Sequence, residues 1–240
     1  MRALIATLLL ALLAAVPATA KPVMLGTEGA FPPYTFLDSS GVLTGFDIDM
    51  GNALCDRAGL ECDWVINDWD SIIPNLLAGR YDAIIAAMAA TPERREQVAF
   101  SQGYETEPAL SPFVGKRSGI DPATATIAVQ SNTIHEVFLR ARGYSVVTYP
   151  TAAAAVQAVL DDKADLVFGS GLFLESRVTA SGRRLVIVAR EQIDAGPTSI
   201  AFRKDDVALR ERFDEALDAM IADGSLAALR AKWFAQSADL

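Results

Sequence analysis

Two successive sets of short apolar strands alternating with helices constrain this chain of 240 residues more than any other feature. Val23–Thr27 reads as a strand, Phe46–Ala58 as a helix stopped by Gly59, and 61–66 as the next strand. Ile48, Met50, Leu54 and Cys55 take apolar positions of that helix. A helix over 71–78, ended by Gly79, and an apolar strand over 82–87 follow. Thr91-Pro92-Glu93 then supplies a cap, a proline at the first helical position and an acidic first turn. The pattern begins again with a strand at Thr126–Gln130, a helix over 133–142 and a strand at Ser145–Tyr149. Thr151 caps a helix over 152–161, and 165–168 and 185–189 read as strands. The 103–111 stretch, with its Gly and Pro residues, reads as a crossing segment between the sets. After 192–202 the chain ends in helices over 205–222 and Ser225–Phe234, divided by Asp223-Gly224. Such alternation predicts parallel sheets with helices on their faces. Two units of this kind facing each other form a closable cleft beyond the carboxyl ends of their strands.

The first twenty residues set the compartment. Met1-Arg2 gives a short positive start, 4–16 is an almost unbroken apolar run, and Ala18-Thr19-Ala20 is a small-x-small cleavage site. The run is too short to span a bilayer and no comparable run follows. The reading is an exported, water-soluble protein cut after Ala20, with an uncleaved N-terminal anchor as the alternative. Without that segment, whose single charge is Arg2, 20 basic residues stand against 30 acidic ones, a net of −10. This sign argues against nucleic acid or an anionic membrane surface as a partner.

Cys55 and Cys62 are the only cysteines. An even count in an exported chain favours a disulfide, two free thiols being the alternative. With His135 the single histidine, the sequence does not supply the ligands of a zinc site, and no metal or cofactor is expected.

At several places the chain resembles the family 3 solute-binding proteins, the periplasmic receptors of polar amino acid ABC importers. The residues that carry the resemblance are Gly26-Thr27-Glu28-Gly29-Ala30-Phe31-Pro32-Pro33-Tyr34, Gly45-Phe46-Asp47-Ile48-Asp49-Met50, and Asp82-Ala83-Ile84-Ile85 running into Thr91-Pro92-Glu93-Arg94-Arg95. Asp223-Gly224-Ser225-Leu226 followed by Lys232-Trp233-Phe234 matches the family's C-terminal end. The resemblance implies an α/β, two-lobed periplasmic binding protein of type II, each lobe a mostly parallel sheet flanked by helices, joined by two hinge strands. It places one discontinuous lobe at 21–105 and 199–240 and the other at 106–198. Cys55 and Cys62 fall where basic amino acid receptors of the family carry a disulfide. It further implies a periplasmic monomer that closes on a small amino acid or opine, docks on an inner-membrane permease and catalyses nothing itself.

Arg94 is the leading candidate for the ligand's α-carboxylate. A guanidinium near the crevice edge grips a carboxylate bidentately, aided by helix N-terminal amides, and the resemblance assigns this role to the same position. The turn Gln130-Ser131-Asn132-Thr133 is similar to the family's second carboxylate clamp, so Gln130, Asn132 and Thr133 are expected at the ligand, although Asn132 or Thr133 also reads as a plain helix cap. Phe31 and Trp69 correspond to aromatic positions flanking the ligand side chain, with core packing as the other reading. Glu28 occupies the position of an acidic residue that meets a cationic ligand end, an exposed loop carboxylate being its alternative.

Three departures from the family pattern bear on the ligand. Ala86-Ala87-Met88-Ala89 replaces a serine-rich run, which leaves only backbone groups of Ala86, Ala87 and Ala89 to bond a ligand. The usual ammonium-binding aspartate falls at Ser170, which weakens the case for a free α-amino acid, because a buried ammonium wants a charged partner. Gly29-Ala30 and Gly169 leave space. An opine-binding branch shares the Thr-Glu-Gly and Ala-Ala-Met patterns, so an arginine-like amino acid and an opine-like conjugate are both carried forward. The competing classes are a periplasmic enzyme on the same scaffold, similar to cyclohexadienyl dehydratase, and a ligand-sensing receptor. Neither 169–171 nor His135 with Ser131 and Asp121 forms a nucleophile elbow or triad. His135 reads as a polar residue in the first turns of a helix, and nothing in the sequence points to a raised pKa for the Glu28–Ser170 pair.

Overall fold

The computed structural model describes residues 21–105 and 110–234. The expected leader 1–20 with its cleavage after Ala20, and part of the crossing at 106–109, lie outside the described residues.

The chain opens with β1 (Val23–Thr27), a small meander of β2 (Ala30–Phe31), β3 (Thr35–Leu37) and β4 (Leu43–Thr44), then α1 (Phe46–Ala58) and β5 (Cys62–Ile66). A 3₁₀ turn at Trp69–Ser71 leads into α2 (Ile72–Leu77), β6 (Ala83–Ile84), α3 (Pro92–Arg95) and β7 (Ala99–Glu105). The second unit holds β8 (Leu110–Gly115), β9 (Thr126–Gln130), α4 (Ile134–Ala141), β10 (Ser145–Tyr149), α5 (Ala152–Leu160), β11 (Leu166–Phe168), α6 (Gly171–Ala180) and β12 (Val186–Gln192). β13 (Thr198–Phe202), α7 (Val207–Ala222) and α8 (Ser225–Phe234) return to the first unit.

Two five-stranded sheets result, ordered β5-β1-β6-β13-β7 and β10-β9-β11-β8-β12. In the first, β1 pairs in parallel with β5 and β6, while β13 runs antiparallel to β6 and β7. In the second, β9 pairs in parallel with β10 and β11, while β8 runs antiparallel to β11 and β12. The reversed strand of each sheet is the one arriving from the other unit. Helical crossovers return the chain in the same direction, whereas a strand entering from outside inserts opposite to its neighbours. The fold is thus two α/β lobes linked twice, by the β7–β8 and β12–β13 connections.

The core of the first lobe forms where α1 meets α7. Phe46, Met50 and Leu54 are fully buried beside Phe213, Leu217 and Met220. Each such side chain contributes about 1.5–3 kcal/mol by leaving water. Cys55 in the last turn of α1 is disulfide-bonded to Cys62 at the start of β5. Gly45, at φ 134°, precedes α1 where any Cβ would collide with the Tyr34 carbonyl.

The elements depart from the sequence reading in four places. The strand expected over 82–87 ends at Ile84, because Ala87 adopts φ 48° and turns the chain. The last strand of the second lobe runs on to Gln192. β7 and β8 occupy the two ends of the 103–111 crossing and flanking residues left unassigned, and α6 and the β2–β4 meander were not anticipated.

Candidate functional site

The carboxyl ends of β1 and β9 face each other across the gap between the lobes. Glu28 follows β1 and is 8% exposed; its Oε1 accepts from Gln130 Nε2 at 2.7 Å across that gap. Gln130 also donates to the Pro150 carbonyl at 3.3 Å. Burial pushes the Glu28 carboxyl up to about 7, the Gln130 bond pulls it down, and Asp70 and Asp68 push it up further. Its alternative as an exposed loop carboxylate is excluded, and the raised pKa that the sequence did not signal is present.

Arg94 is placed by local chemistry. Thr91 caps α3 by accepting from the Arg94 amide at 3.3 Å, and Pro92 fixes the first turn. The guanidinium donates from Nη1 to the Ala89 carbonyl at 2.9 Å and from Nη2 to the Asn132 carbonyl of the other lobe at 3.1 Å. It also lies over the Trp69 ring, 5.2 Å from the centroid. Among the described residues no carboxylate oxygen lies within 4.0 Å of it. Burial lowers its pKa to about 10.

The segment after β6 is held from behind. Asp47, fully buried in the first turn of α1, accepts from the Ala87 amide at 2.6 Å and from the Tyr104 hydroxyl at 3.1 Å. Those bonds secure the left-handed conformation of Ala87 and turn the Ala86–Ala89 backbone toward the gap. Burial pushes Asp47 up to about 8.

Glu28, Phe31, Trp69, Ala86, Ala87, Ala89, Arg94, Gln130, Thr133 and Ser170 line one cavity of about 190 Å³ between the lobes. Asn132 does not line it: its side chain turns outward to Asp70 at 2.8 Å, and its carbonyl is what faces Arg94. Thr133 lines the cavity and its hydroxyl caps α4, accepting from the Glu136 amide at 3.3 Å while donating to the Gln130 carbonyl at 2.8 Å. Phe31 stacks between Tyr34 of its own lobe at 5.7 Å and Phe173 of the other at 5.6 Å. Ser170 precedes α6 without a side-chain cap bond. Gly169 opens onto the cavity, whereas a Cβ on Gly29 would meet Ile66 instead.

Sequence reasoning missed Tyr34, Glu105, Ser111 and Thr198, and placed His135 only on its helix. Glu105 lines the cavity but is already engaged, by Arg230 at 2.8 Å and the Tyr34 hydroxyl at 2.7 Å. His135 faces Ser111, with Nε2 to Oγ at 3.2 Å, and burial, reinforced by Arg94, drops its pKa to about 4. Among the described residues no group of three His, Cys, Asp or Glu side chains is placed to hold a metal ion.

Two α/β lobes linked twice, with charged side chains converging on the gap between strand ends, define a bilobed solute-binding fold. The chain belongs to the bacterial extracellular solute-binding proteins, family 3, whose model matches residues 23–236. It is 31% identical to the L-arginine-binding protein of Pseudomonas aeruginosa over 228 residues, 89% of this chain and 88% of the relative. It is 28% identical to the octopine-binding periplasmic protein of Rhizobium meliloti over 265 residues, 89% and 90% of the two chains. A crystal structure of a periplasmic His/Glu/Gln/Arg/opine family-binding protein from Silicibacter pomeroyi, in complex with lysine, superposes with a TM-score of 0.84 at 40% identity, covering 88% of this chain and 96% of that one.

Proposed function

We propose that the chain is the periplasmic solute receptor of an ABC importer, a monomer that captures an amino acid with a cationic end by lobe closure. One observation carries this reading. A single cavity holds a guanidinium without a carboxylate partner, Arg94, and a carboxylate without a cationic partner, Glu28, among the described residues. Buried charges require partners, and a solute with a carboxylate at one end and a cation at the other satisfies both. Its carboxylate meets Arg94 and the Thr133 turn, one from each lobe, so closure depends on the solute. Phe31 and Trp69 flank its stem, and cation–π contact favours a guanidinium or ammonium there.

The lobes of this reading are 21–105 with 199–240, and 106–198, hinged at the two crossings. The closed form docks on an inner-membrane permease, and export follows cleavage after Ala20. The relatives named for arginine and octopine support a nitrogenous carboxylate ligand.

A second ligand reading has its own support. Ser170, Ser111 and neutral His135 line the cavity, and Glu105 is already neutralised by Arg230. That leaves no acid for an α-ammonium apart from Glu28, and an opine, whose nitrogen bears a carboxyalkyl group, suits such a donor-rich wall. Catalysis is no part of the reading: the raised pKa of Glu28 comes from burial, which a ligand cation offsets.

A thermal-shift panel of L-arginine, L-lysine, L-ornithine, L-histidine, octopine and nopaline tests it. A ligand at about 100 times its Kd stabilises by about 2.7 kcal/mol. Stabilisation by a cationic amino acid or an opine is expected. No shift with any member, or turnover of a substrate that disappears in Glu28→Gln, contradicts it.

A further inference from the structure

We propose that Asp70 is a positioning residue that fastens the two lobes from outside the cavity and so sets the affinity for solutes of equal charge alike. Asp70 is the exposed middle residue of the 3₁₀ turn Trp69–Ser71 of the first lobe. Its Oδ1 and Oδ2 accept from Ser131 Oγ at 2.7 and 2.9 Å, and Oδ1 also accepts from Asn132 Nδ2 at 2.8 Å. Both donors belong to the turn between β9 and α4 on the opposite lobe. Bonds to a charged acceptor are the stronger kind.

The β9–α4 turn is shaped to present these donors. Asn132 adopts φ 55°, a left-handed conformation that asparagine tolerates, and its amide donates to Glu136 Oε2 at 2.7 Å. The Asn132 carbonyl is thereby aimed at Trp69 Nε1, 3.2 Å away, and at Arg94, while its side chain is aimed at Asp70. Trp69 and Arg94 line the cavity and Asp70 does not. The same turn is therefore gripped twice: on its inner side by residues that line the cavity, on its outer side by one that does not.

A contact made only when the lobes are together, and made without the solute, adds the same free energy to every closed complex. It shifts the closing equilibrium, and with it the affinity of solutes of equal charge by one common factor, the Asp70 charge being felt at Glu28 by all of them equally. Discrimination among solutes stays with the cavity. This inference rests on the receptor reading above for lobe closure and for its choice of probes.

The test compares wild type with Asp70→Ala and Asn132→Gly, the latter keeping the positive φ while removing the side-chain amide. L-arginine and L-lysine are titrated calorimetrically, dissociation is followed by stopped flow, and the radius of gyration without added ligand is measured by small-angle scattering. Asp70→Ala is expected to weaken both amino acids by the same factor, about tenfold, through faster dissociation, with their affinity ratio unchanged. Asn132→Gly moves the same way by less. A change in the arginine-to-lysine ratio beyond about threefold, or unaltered affinities with an unaltered radius of gyration, overturns the proposal. If neither amino acid binds wild type, the ligand reading has failed and scattering alone decides: a larger radius in Asp70→Ala supports the fastening role, and an equal one overturns it.

Discussion

Glu28 is a buried carboxylate whose one side-chain hydrogen-bond partner among the described residues, Gln130, is an amide from the other lobe. A cation placed beside it favours the charged form, so binding a cationic solute near pH 6.5 releases protons from a group that titrates at about 7. Calorimetry in buffers of different ionisation enthalpy measures that release, and Glu28→Gln is expected to abolish it while weakening cationic ligands more than neutral ones. Equal weakening of both kinds contradicts the role. Stability has its own pH signature. Folded Glu28 and Asp47 hold protons more tightly than the unfolded chain, so their contribution is full below the ordinary carboxylate range and is lost as pH rises through about 7 and about 8. His135 acts oppositely: its contribution is present above 6.5 and lost as pH falls toward about 4. Above 6.5 only the two carboxyls still change among these three, so Tm measured by calorimetry falls between pH 6.5 and about 8.5. Asp47→Asn flattens that fall, and a Tm rising over the interval contradicts the account.

At the level of elements, local signals and long-range signals were unequally legible. Gly59, Thr91-Pro92 and Thr151 mark ends and starts that depend on neighbours in sequence, and α1, α3 and α5 begin or stop at those residues. β7 and β8 carry no such punctuation; β7 is a strand because β13, returning from the second lobe, pairs with it, and β8 because β11 and β12, far along the chain, pair with it, which no window of sequence contains. Ala87 illustrates the same limit, since its turn is imposed by Asp47 from forty positions away in the chain. Among site residues, Glu28, Arg94 and Thr133 follow recognisable motifs, whereas Glu105 and Ser111 reach the cavity only through the crossing strands. The disulfide makes a prediction at this scale. It joins α1 to β5 across a separation of 7 residues, and closing so short a loop contributes about 2 kcal/mol through the unfolded state. Denaturant unfolding of Cys55→Ala/Cys62→Ala is expected to show a loss of that size. An unchanged midpoint contradicts it.

The whole molecule is two half-cores that meet through few, mostly polar contacts. Phe31 against Phe173, Glu28 with Gln130, Arg94 and Trp69 with Asn132, and Asp70 with Ser131 and Asn132 bridge the gap, while each lobe has its own buried apolar clusters, touched from the other side by Phe31 and Leu172. Such an interface holds the lobes loosely enough for a solute to decide their arrangement. Arg94 is where this dependence concentrates, since its guanidinium touches both lobes and among the described residues donates to carbonyls alone. Calorimetric titration of L-arginine into wild type and Arg94→Ala tests the claim most directly. Removing a buried charge partner is expected to weaken binding by about 2–5 kcal/mol, a loss of roughly 30-fold or more. An affinity within about threefold of wild type would contradict the account.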